Sequence, residues 1–126
     1  MPKRVLVVEV DPFVRSLVDE VLSAADHDVE LLSSASEAWS RLEKGEQFDL
    51  IIISGGEIEL LRRVREDART TDVPVILMSG ADPVPFKVVC TDLGATFLSK
   101  PFSIDQLLAL VGSRVEMGVA PDALAF

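Results

Sequence analysis

The sequence predicts an α/β domain in which a parallel β-sheet carries helices on both faces. Short runs of β-branched and aliphatic residues, typical of strands buried on both faces, alternate with segments whose apolar residues recur at helical spacing. The chain has 126 residues, of which 48% are hydrophobic and 26% charged, a globular composition. We therefore expect one domain over residues 1–116, followed by a tail or linker over residues 117–126.

Five segments have the length and composition of buried strands. The most apolar of them, Leu50 to Ile53, ends abruptly at Ser54, Gly55 and Gly56, which are residue types that favour a turn. An alternation of such strands with helices predicts a doubly wound parallel sheet with right-handed crossovers. The predicted strands cover residues 5–8, 28–32, 50–53, 73–78 and 96–98.

Helices are predicted over residues 12–25, 36–42, 60–68, 82–93 and 103–115. Pro12 suits a first helical turn, Ser103 suits an N-cap and Gly94 suits a C-terminal cap. Pro85 lacks a backbone donor, so we expect the fourth helix to begin irregularly. Trp39, in the second helix, is expected in the core.

Charge and cysteine content argue against several functional classes. The net charge of −9 disfavours direct contact with nucleic acid or with an anionic membrane surface. Cys90 is the single cysteine and His27 the single histidine, so neither an internal disulfide nor a zinc site is expected. The first residues form neither a signal peptide nor a membrane span. We expect a cytoplasmic protein without a membrane anchor.

The functional site of a doubly wound sheet lies beyond the carboxyl ends of its strands. In this chain several polar or charged residues follow the predicted strands at that edge. They are Glu9 and Asp11 after the first strand, with Val10 between them, Ser54 after the third, Ser79 after the fourth and Lys100 after the fifth.

Four segments around these positions resemble the receiver domain of two-component response regulators. They are VLVVEVDP at residues 5–12, FDLIII at 48–53, VPVILMSG at 73–80 and LSKPF at 98–102. The resemblance extends from Arg4 to about Val115. It implies a flavodoxin-like sheet of five strands in the order 2-1-3-4-5 with five helices, and a role in phosphorelay signal transduction.

The resemblance also implies roles for individual residues. Ser79 would hydrogen-bond a phosphoryl oxygen, and Lys100 would pair with the acceptor carboxylate. Phe97 matches the aromatic position that usually reports the switch between states. Ser54, however, stands at the acceptor position, and no aspartate occurs from residue 50 to residue 66. Lys100 is therefore expected to lack the carboxylate that it matches in the family.

The metal-binding part of the motif is also altered. Val10 replaces one acidic residue of the family's metal pair, which leaves Glu9, with Asp11 one position beyond. Because Mg²⁺ is held by very few carboxylates, we expect its binding to be lost or weak, and we expect no cofactor. The loop after Ser54 is shorter than the family pattern. The resemblance thus implies a pseudo-receiver that is not an enzyme and that acts through protein interactions.

Two further charged features have competing interpretations. Glu57 is the first acidic residue after the shortened loop and could place a carboxylate near Lys100, although the helix macrodipole explains a glutamate there equally well. Arg62, Arg65 and Arg69 share a helix face and could bind an acidic partner. Because glutamates interleave with them, we expect a solvated face with salt bridges.

The fourth predicted helix is unusually apolar and is a candidate interface. Four apolar residues within six positions exceed what one buried stripe requires, namely Val84, Phe86, Val88 and Val89. In receivers the fourth helix, fifth strand and fifth helix make partner contacts, so a homodimer through this face is possible. The expected partners are a histidine kinase, another signalling protein or a fused output domain.

Two alternatives remain open at this point. An active receiver could accept the phosphoryl group on a non-standard residue. A flavodoxin-like binder of a small anion or nucleotide could use Gly55, Gly56 and the following helix N-terminus as a cradle.

Overall fold

The computed structural model describes residues 3–117. Within that range the chain forms five strands and five long helices, with a short 3₁₀ turn over Gly55–Glu57. The strands are β1 (Arg4–Val8), β2 (Asp28–Leu32), β3 (Leu50–Ser54), β4 (Val75–Ser79) and β5 (Thr96–Ser99). The helices are α1 (Pro12–Ala24), α2 (Ala35–Glu43), α3 (Ile58–Glu66), α4 (Pro83–Leu93) and α5 (Ile104–Met117).

All strand pairs are parallel, and the strand order is β2-β1-β3-β4-β5, which confirms the predicted fold class. The register aligns the carboxyl ends of neighbouring strands. Val8 pairs with Ile53, and Ser54 pairs with Met78. Ser79 pairs with Ser99, one residue before Lys100. The residues that follow the strands therefore meet at one edge of the sheet.

The sheet separates two apolar layers because successive strand residues point to opposite faces. Leu6 and Val8 of β1 face the layer covered by α2, α3 and α4, whereas Val5 and Val7 face α1 and α5. All four are fully buried. Each such side chain contributes about 1.5–3 kcal/mol when it leaves water. This burial on both faces makes the central strands a rigid support for the edge that carries the polar residues.

The helix ends are set by local side chains, largely as predicted. Ser103 and Gln106 form a reciprocal cap at the start of α5, with Gln106 N donating to Ser103 Oγ at 3.0 Å and Ser103 N donating to Gln106 Oε1 at 2.8 Å. Gly94 ends α4 with a positive φ of 64°. The expected irregular start of α4 is wrong. Pro85 falls in the first turn of α4, where a backbone N–H has no helical partner to lose.

One other detail differs from the sequence-based expectation. Trp39 is only half-buried at the border of the α2–α3 layer, where the Arg63 guanidinium lies 5.1 Å from its ring centroid. The predicted tail lies outside the described residues from position 118 onward. Among the described residues, no helix is long and apolar enough to cross a membrane.

Candidate functional site

The carboxyl edge of the sheet contains a buried ion pair between Glu9 and Lys100. Glu9 is 2% exposed, and its Oε1 accepts a hydrogen bond of 2.6 Å from Lys100 Nζ. The second carboxylate oxygen accepts from the Asp11 backbone N–H at 3.1 Å. Both oxygens of this carboxylate are therefore engaged within the chain. Lys100 therefore pairs with the carboxylate of Glu9, a pairing that the sequence did not predict.

The main chain holds both members of the pair in position. The Lys100 backbone N–H donates to Ser79 O at 2.8 Å, which ties the residue after β5 to the end of β4. On the other side, the Arg15 side chain of α1 donates to Glu9 O at 3.0 Å. The Glu9 backbone N–H continues the β1–β2 ladder by donating to Leu32 O. Hydrogen bonds to residues of β2, β4 and α1 therefore hold the Glu9–Lys100 pair in position.

Asp11 and Val10 lie outside this buried pair. Asp11 is exposed, and its Oδ1 caps α1 by accepting from the Phe13 backbone N–H at 2.9 Å. Val10 is 59% exposed and faces solvent. Within residues 3–117, no three carboxylate, imidazole or thiol side chains converge on a point that could hold a metal ion.

Ser79 is buried at the end of β4, and its hydroxyl accepts a hydrogen bond in the turn that follows this strand. Ser79 is 6% exposed, and its Oγ accepts from the Ala81 backbone N–H at 3.1 Å. The turn after β3 packs tightly on it. A methyl group added to Gly55 would lie only 2.9 Å from Ser79 Cβ and 3.0 Å from Ser79 Oγ. A side chain at position 55 would therefore clash with Ser79.

Ser54 is the half-buried last residue of β3, and the 3₁₀ turn leads directly from it into α3. Glu57 ends that turn and lies at the N-terminus of α3, where its negative charge opposes the binding of an anion by the helix dipole. The partner of Lys100 is Glu9 rather than Glu57. The turn after Ser54 thus lacks the positive character that a cradle for a small anion requires.

The four apolar residues of the predicted interface divide into two pairs. Val84 and Val88 are 65% and 57% exposed on the outer side of α4. Phe86 and Val89 instead pack against the core layer of β3 and β4. The Phe86 ring stacks on Phe97 of β5, with ring centroids 6.2 Å apart and an angle of 19° between the planes. Only the first pair is free to contact another molecule.

Arg65 connects separate segments of the chain, although the sequence analysis placed it on a solvated helix face. Its guanidinium donates to the carbonyls of Leu93 and Gly94 at the end of α4 and to those of Thr71 and Val73 before β4. Burial lowers the pKa of this guanidinium. One signal was present in the sequence, because Arg65 follows the buried Leu61 by four residues and so lies on the same helix face.

Arg62 fits the expected solvated face. It forms an exposed pair with Glu59 at 3.3 Å, one helical turn away. Arg69 pairs with Asp67 at 3.0 Å in the turn after α3.

Comparison with known proteins identifies the family. A model of the response regulator receiver domain matches residues 5–112. The regulatory protein VirG of Agrobacterium fabrum is 34% identical over 123 residues, which cover 94% of this chain and 47% of VirG. The transcriptional regulatory protein TrcR of Mycobacterium tuberculosis is 33% identical over 113 residues, which cover 86% of this chain and 43% of TrcR. The chain therefore spans less than half the length of these two relatives.

Solved structures agree with this assignment. The crystal structure of a putative response regulator from Chloroflexus aurantiacus has a TM-score of 0.84 at 25% identity and covers 92% of this chain and 99% of that one. A CheY-like receiver domain protein from Methanospirillum hungatei shares the fold, with a TM-score of 0.84 at 21% identity and coverage of 94% and 97%. Because the family model matches most of the chain, this protein belongs to the response regulator receiver domain family.

Proposed function

We propose that this receiver domain works in two-component signal transduction as a protein-interaction module whose output does not depend on its own phosphorylation. The observation that supports this most strongly is the 2.6 Å ion pair between Lys100 and the buried Glu9. The cation that the family directs at an acceptor carboxylate already has a carboxylate partner within the chain.

The residue types at the edge support the same proposal. Phosphoryl transfer to a receiver needs a carboxylate nucleophile with Mg²⁺ beside it. Ser54 offers a neutral hydroxyl, which needs an adjacent base to act as a nucleophile. His27 immediately precedes β2 and so lies at the opposite, amino-terminal edge of the sheet. Ser54 is therefore a poor substitute acceptor, and we propose that the domain has no enzymatic activity.

Metal binding is disfavoured because the candidate ligands already accept hydrogen bonds within the chain. Both Glu9 oxygens are engaged, and Asp11 caps α1. Val10 provides no oxygen ligand from its side chain. Mg²⁺ prefers a nearly octahedral set of oxygens and usually keeps several waters, so carboxylates that already accept hydrogen bonds within the chain bind it weakly.

Partner recognition is the remaining activity that the fold supports. The relatives VirG and TrcR are both named as regulatory proteins, and the chain matches less than half of each. We propose that the partner is a histidine kinase, another signalling protein or an output domain on a longer chain, in the cytoplasm. The exposed Val84 and Val88 on α4 are the proposed contact residues, including for a second copy of the domain.

Incubation with acetyl phosphate and Mg²⁺, followed by intact-mass measurement, tests the proposal. We expect no added phosphoryl group, whereas a receiver domain that carries an acceptor aspartate is labelled under the same conditions. Isothermal calorimetry should show no one-site binding of Mg²⁺ at millimolar concentration. Stoichiometric labelling that disappears in Ser54→Ala would refute the proposal and identify Ser54 as the acceptor.

A further inference from the structure

A cavity of about 570 Å³ opens at the amino-terminal edge of the sheet, opposite to the edge that carries Glu9 and Lys100. It lies between the loop that leads from α2 into β3 and the loop that leads from α3 into β4. Pockets that bind small molecules in proteins typically enclose about 300–1,000 Å³. The cavity therefore has the size of a small-molecule site.

Part of the cavity lining is apolar and buried. Leu42 and Ile51 line it and are 3% and 0% exposed. Phe48 and Val73 also line it and are half-buried. An aliphatic chain placed against these side chains would leave water, which favours its binding.

The two cationic side chains of the lining already have carboxylate partners. Arg4 Nη2 lies 3.1 Å from Glu46 Oε1, and Arg69 Nη2 lies 3.0 Å from Asp67 Oδ2. Arg69 Nη1 also donates to Glu43 O at 3.0 Å, which ties the loop after α3 to the end of α2. These pairs hold the walls of the cavity in place and leave neither guanidinium with an uncompensated charge.

Two exposed carboxylates of the lining are not paired in this way. Asp49 Oδ2 accepts a hydrogen bond of 2.8 Å from the Arg4 backbone N–H, and Asp49 Oδ1 accepts none within residues 3–117. Neither oxygen of Asp72 accepts a hydrogen bond from the same part of the chain. The Arg65 guanidinium attracts Asp72 electrostatically, but its N–H groups donate to main-chain carbonyls. The cavity therefore offers acceptor oxygens and negative charge to a ligand.

We propose that this cavity binds a small aliphatic diamine or a related polyamine. The ammonium groups pair with Asp49 and Asp72, and the carbon chain lies against the apolar lining. An ammonium group has three donors and no acceptor, which matches carboxylate oxygens that lack donors. An anion would instead meet two carboxylates and guanidinium groups that are already paired. The site lies at the edge opposite to Ser54, so this inference goes beyond the proposed function and does not depend on it.

A titration with three molecules of equal chain length tests the proposal. Cadaverine has a five-carbon chain with an ammonium group at each end, pentanediol is its neutral counterpart, and glutarate carries two negative charges. NMR spectra of the full chain at low ionic strength should show cadaverine shifting the amides of residues 46–51 and 68–74. We expect no such shifts with the other two molecules. Equal shifts with pentanediol or glutarate, or cadaverine shifts centred on Glu9 and Asp11, would overturn the proposal.

Single-charge variants test the assigned residues. Asp49→Asn and Asp72→Asn keep an acceptor oxygen but remove one charge, and each should weaken cadaverine binding about twofold to fivefold, as expected for an exposed charge pair. Glu20→Gln is the matched control, because Glu20 is exposed on α1, which packs on the other face of the sheet. An equal loss in Glu20→Gln would reveal nonspecific attraction to an acidic protein and refute the site. None of these measurements uses a phosphodonor, so labelling of the wild-type chain would overturn the proposed function and leave this result untouched.

Discussion

Lys100 and Glu9 lie 91 positions apart in the sequence, yet Lys100 Nζ donates a 2.6 Å hydrogen bond to Glu9 Oε1 at the carboxyl edge of the sheet. Strands β3 and β4 lie between β1 and β5 in the sheet, so the long lysine side chain extends across the edge to reach its partner. The pair neutralises both charges inside the site. An internal charge balance of this kind weakens the electrostatic attraction that either residue exerts on an ion.

Removal of one charge from this pair should destabilise the fold. Lys100→Met leaves the buried Glu9 carboxylate without compensation, and we expect the free energy of unfolding to fall by about 2 kcal/mol. A fully buried pair would cost more, but 22% of the Lys100 side chain is exposed. Urea denaturation measures the loss. The double variant Glu9→Gln with Lys100→Met should recover part of it, and strictly additive losses would contradict the pairing.

Carboxylates introduced at positions 54 and 10, with the turn after β3 unchanged, should restore phosphorylation only in part. Ser54→Asp together with Val10→Asp supplies the missing carboxylates, but the turn still packs on Ser79 and continues directly into α3. A misplacement of about 1 Å can cost roughly a hundredfold in rate. We therefore expect slow, incomplete labelling by acetyl phosphate, measured by intact mass over time. Labelling as fast and complete as in an ordinary receiver would show that the short turn is harmless.

Self-association, if it uses the face of α4, should depend on Val88 and not on Phe86. Val88→Glu places a charge on an exposed position and should abolish a dimer seen by light scattering while the melting temperature changes little. Val10→Glu is the matched control, since Val10 is similarly exposed but lies outside α4. A monomer at all concentrations, or a dimer that survives Val88→Glu, would place the contact elsewhere.

The packing of Phe86 makes it a poor probe of that interface. Phe86→Glu would place a carboxylate in the contact with Phe97 and the core, so it tests folding instead of association.

Arg65 should contribute to stability through geometry as well as charge. Arg65→Lys keeps the positive charge but cannot reach four carbonyls in two separate segments. Because these mostly part-buried carbonyls then lose their donors, we expect a loss of about 2 kcal/mol in the free energy of unfolding. Arg62→Lys, on the exposed side of the same helix, should change it by less than about 0.5 kcal/mol. If Arg65→Lys and Arg62→Lys lowered the free energy of unfolding equally in denaturant titrations, the proposed role of the Arg65 hydrogen bonds would be contradicted.

The ion pairs between α2 and the following loop should make stability sensitive to acid. Hydrogen bonds from Arg41 hold the pKa of Glu46 at about 2, below its ordinary value of 4.5. A carboxyl whose pKa is depressed by folding stabilises the fold fully above its ordinary pKa and loses that contribution as the pH falls toward its folded pKa. The Tm difference between wild type and Glu46→Gln should therefore shrink between about pH 5 and about pH 2. Glu59→Gln, at a highly exposed position, serves as the control.

Much of the architecture was predictable because its causes are local. The apolar runs that form β1, β3 and β4 have the pattern of strands buried on both faces, and the cap formed by Ser103 follows from residues three positions apart. The edge that carries Glu9, Ser54, Ser79 and Lys100 then follows from parallel strand order. The absence of an aspartate from residue 50 to residue 66 is likewise a property of the sequence alone.

The tertiary structure decided which of these residues meet. The Glu9–Lys100 pair depends on how far a lysine reaches across the edge of the assembled sheet, and the contacts of Arg65 are with carbonyls, which every residue possesses. The outward direction of Val88 and the inward direction of Phe86 depend on how α4 is rotated against β5. Periodicity and capping act over a few residues, whereas these contacts join distant segments and exist only when the whole sheet is packed.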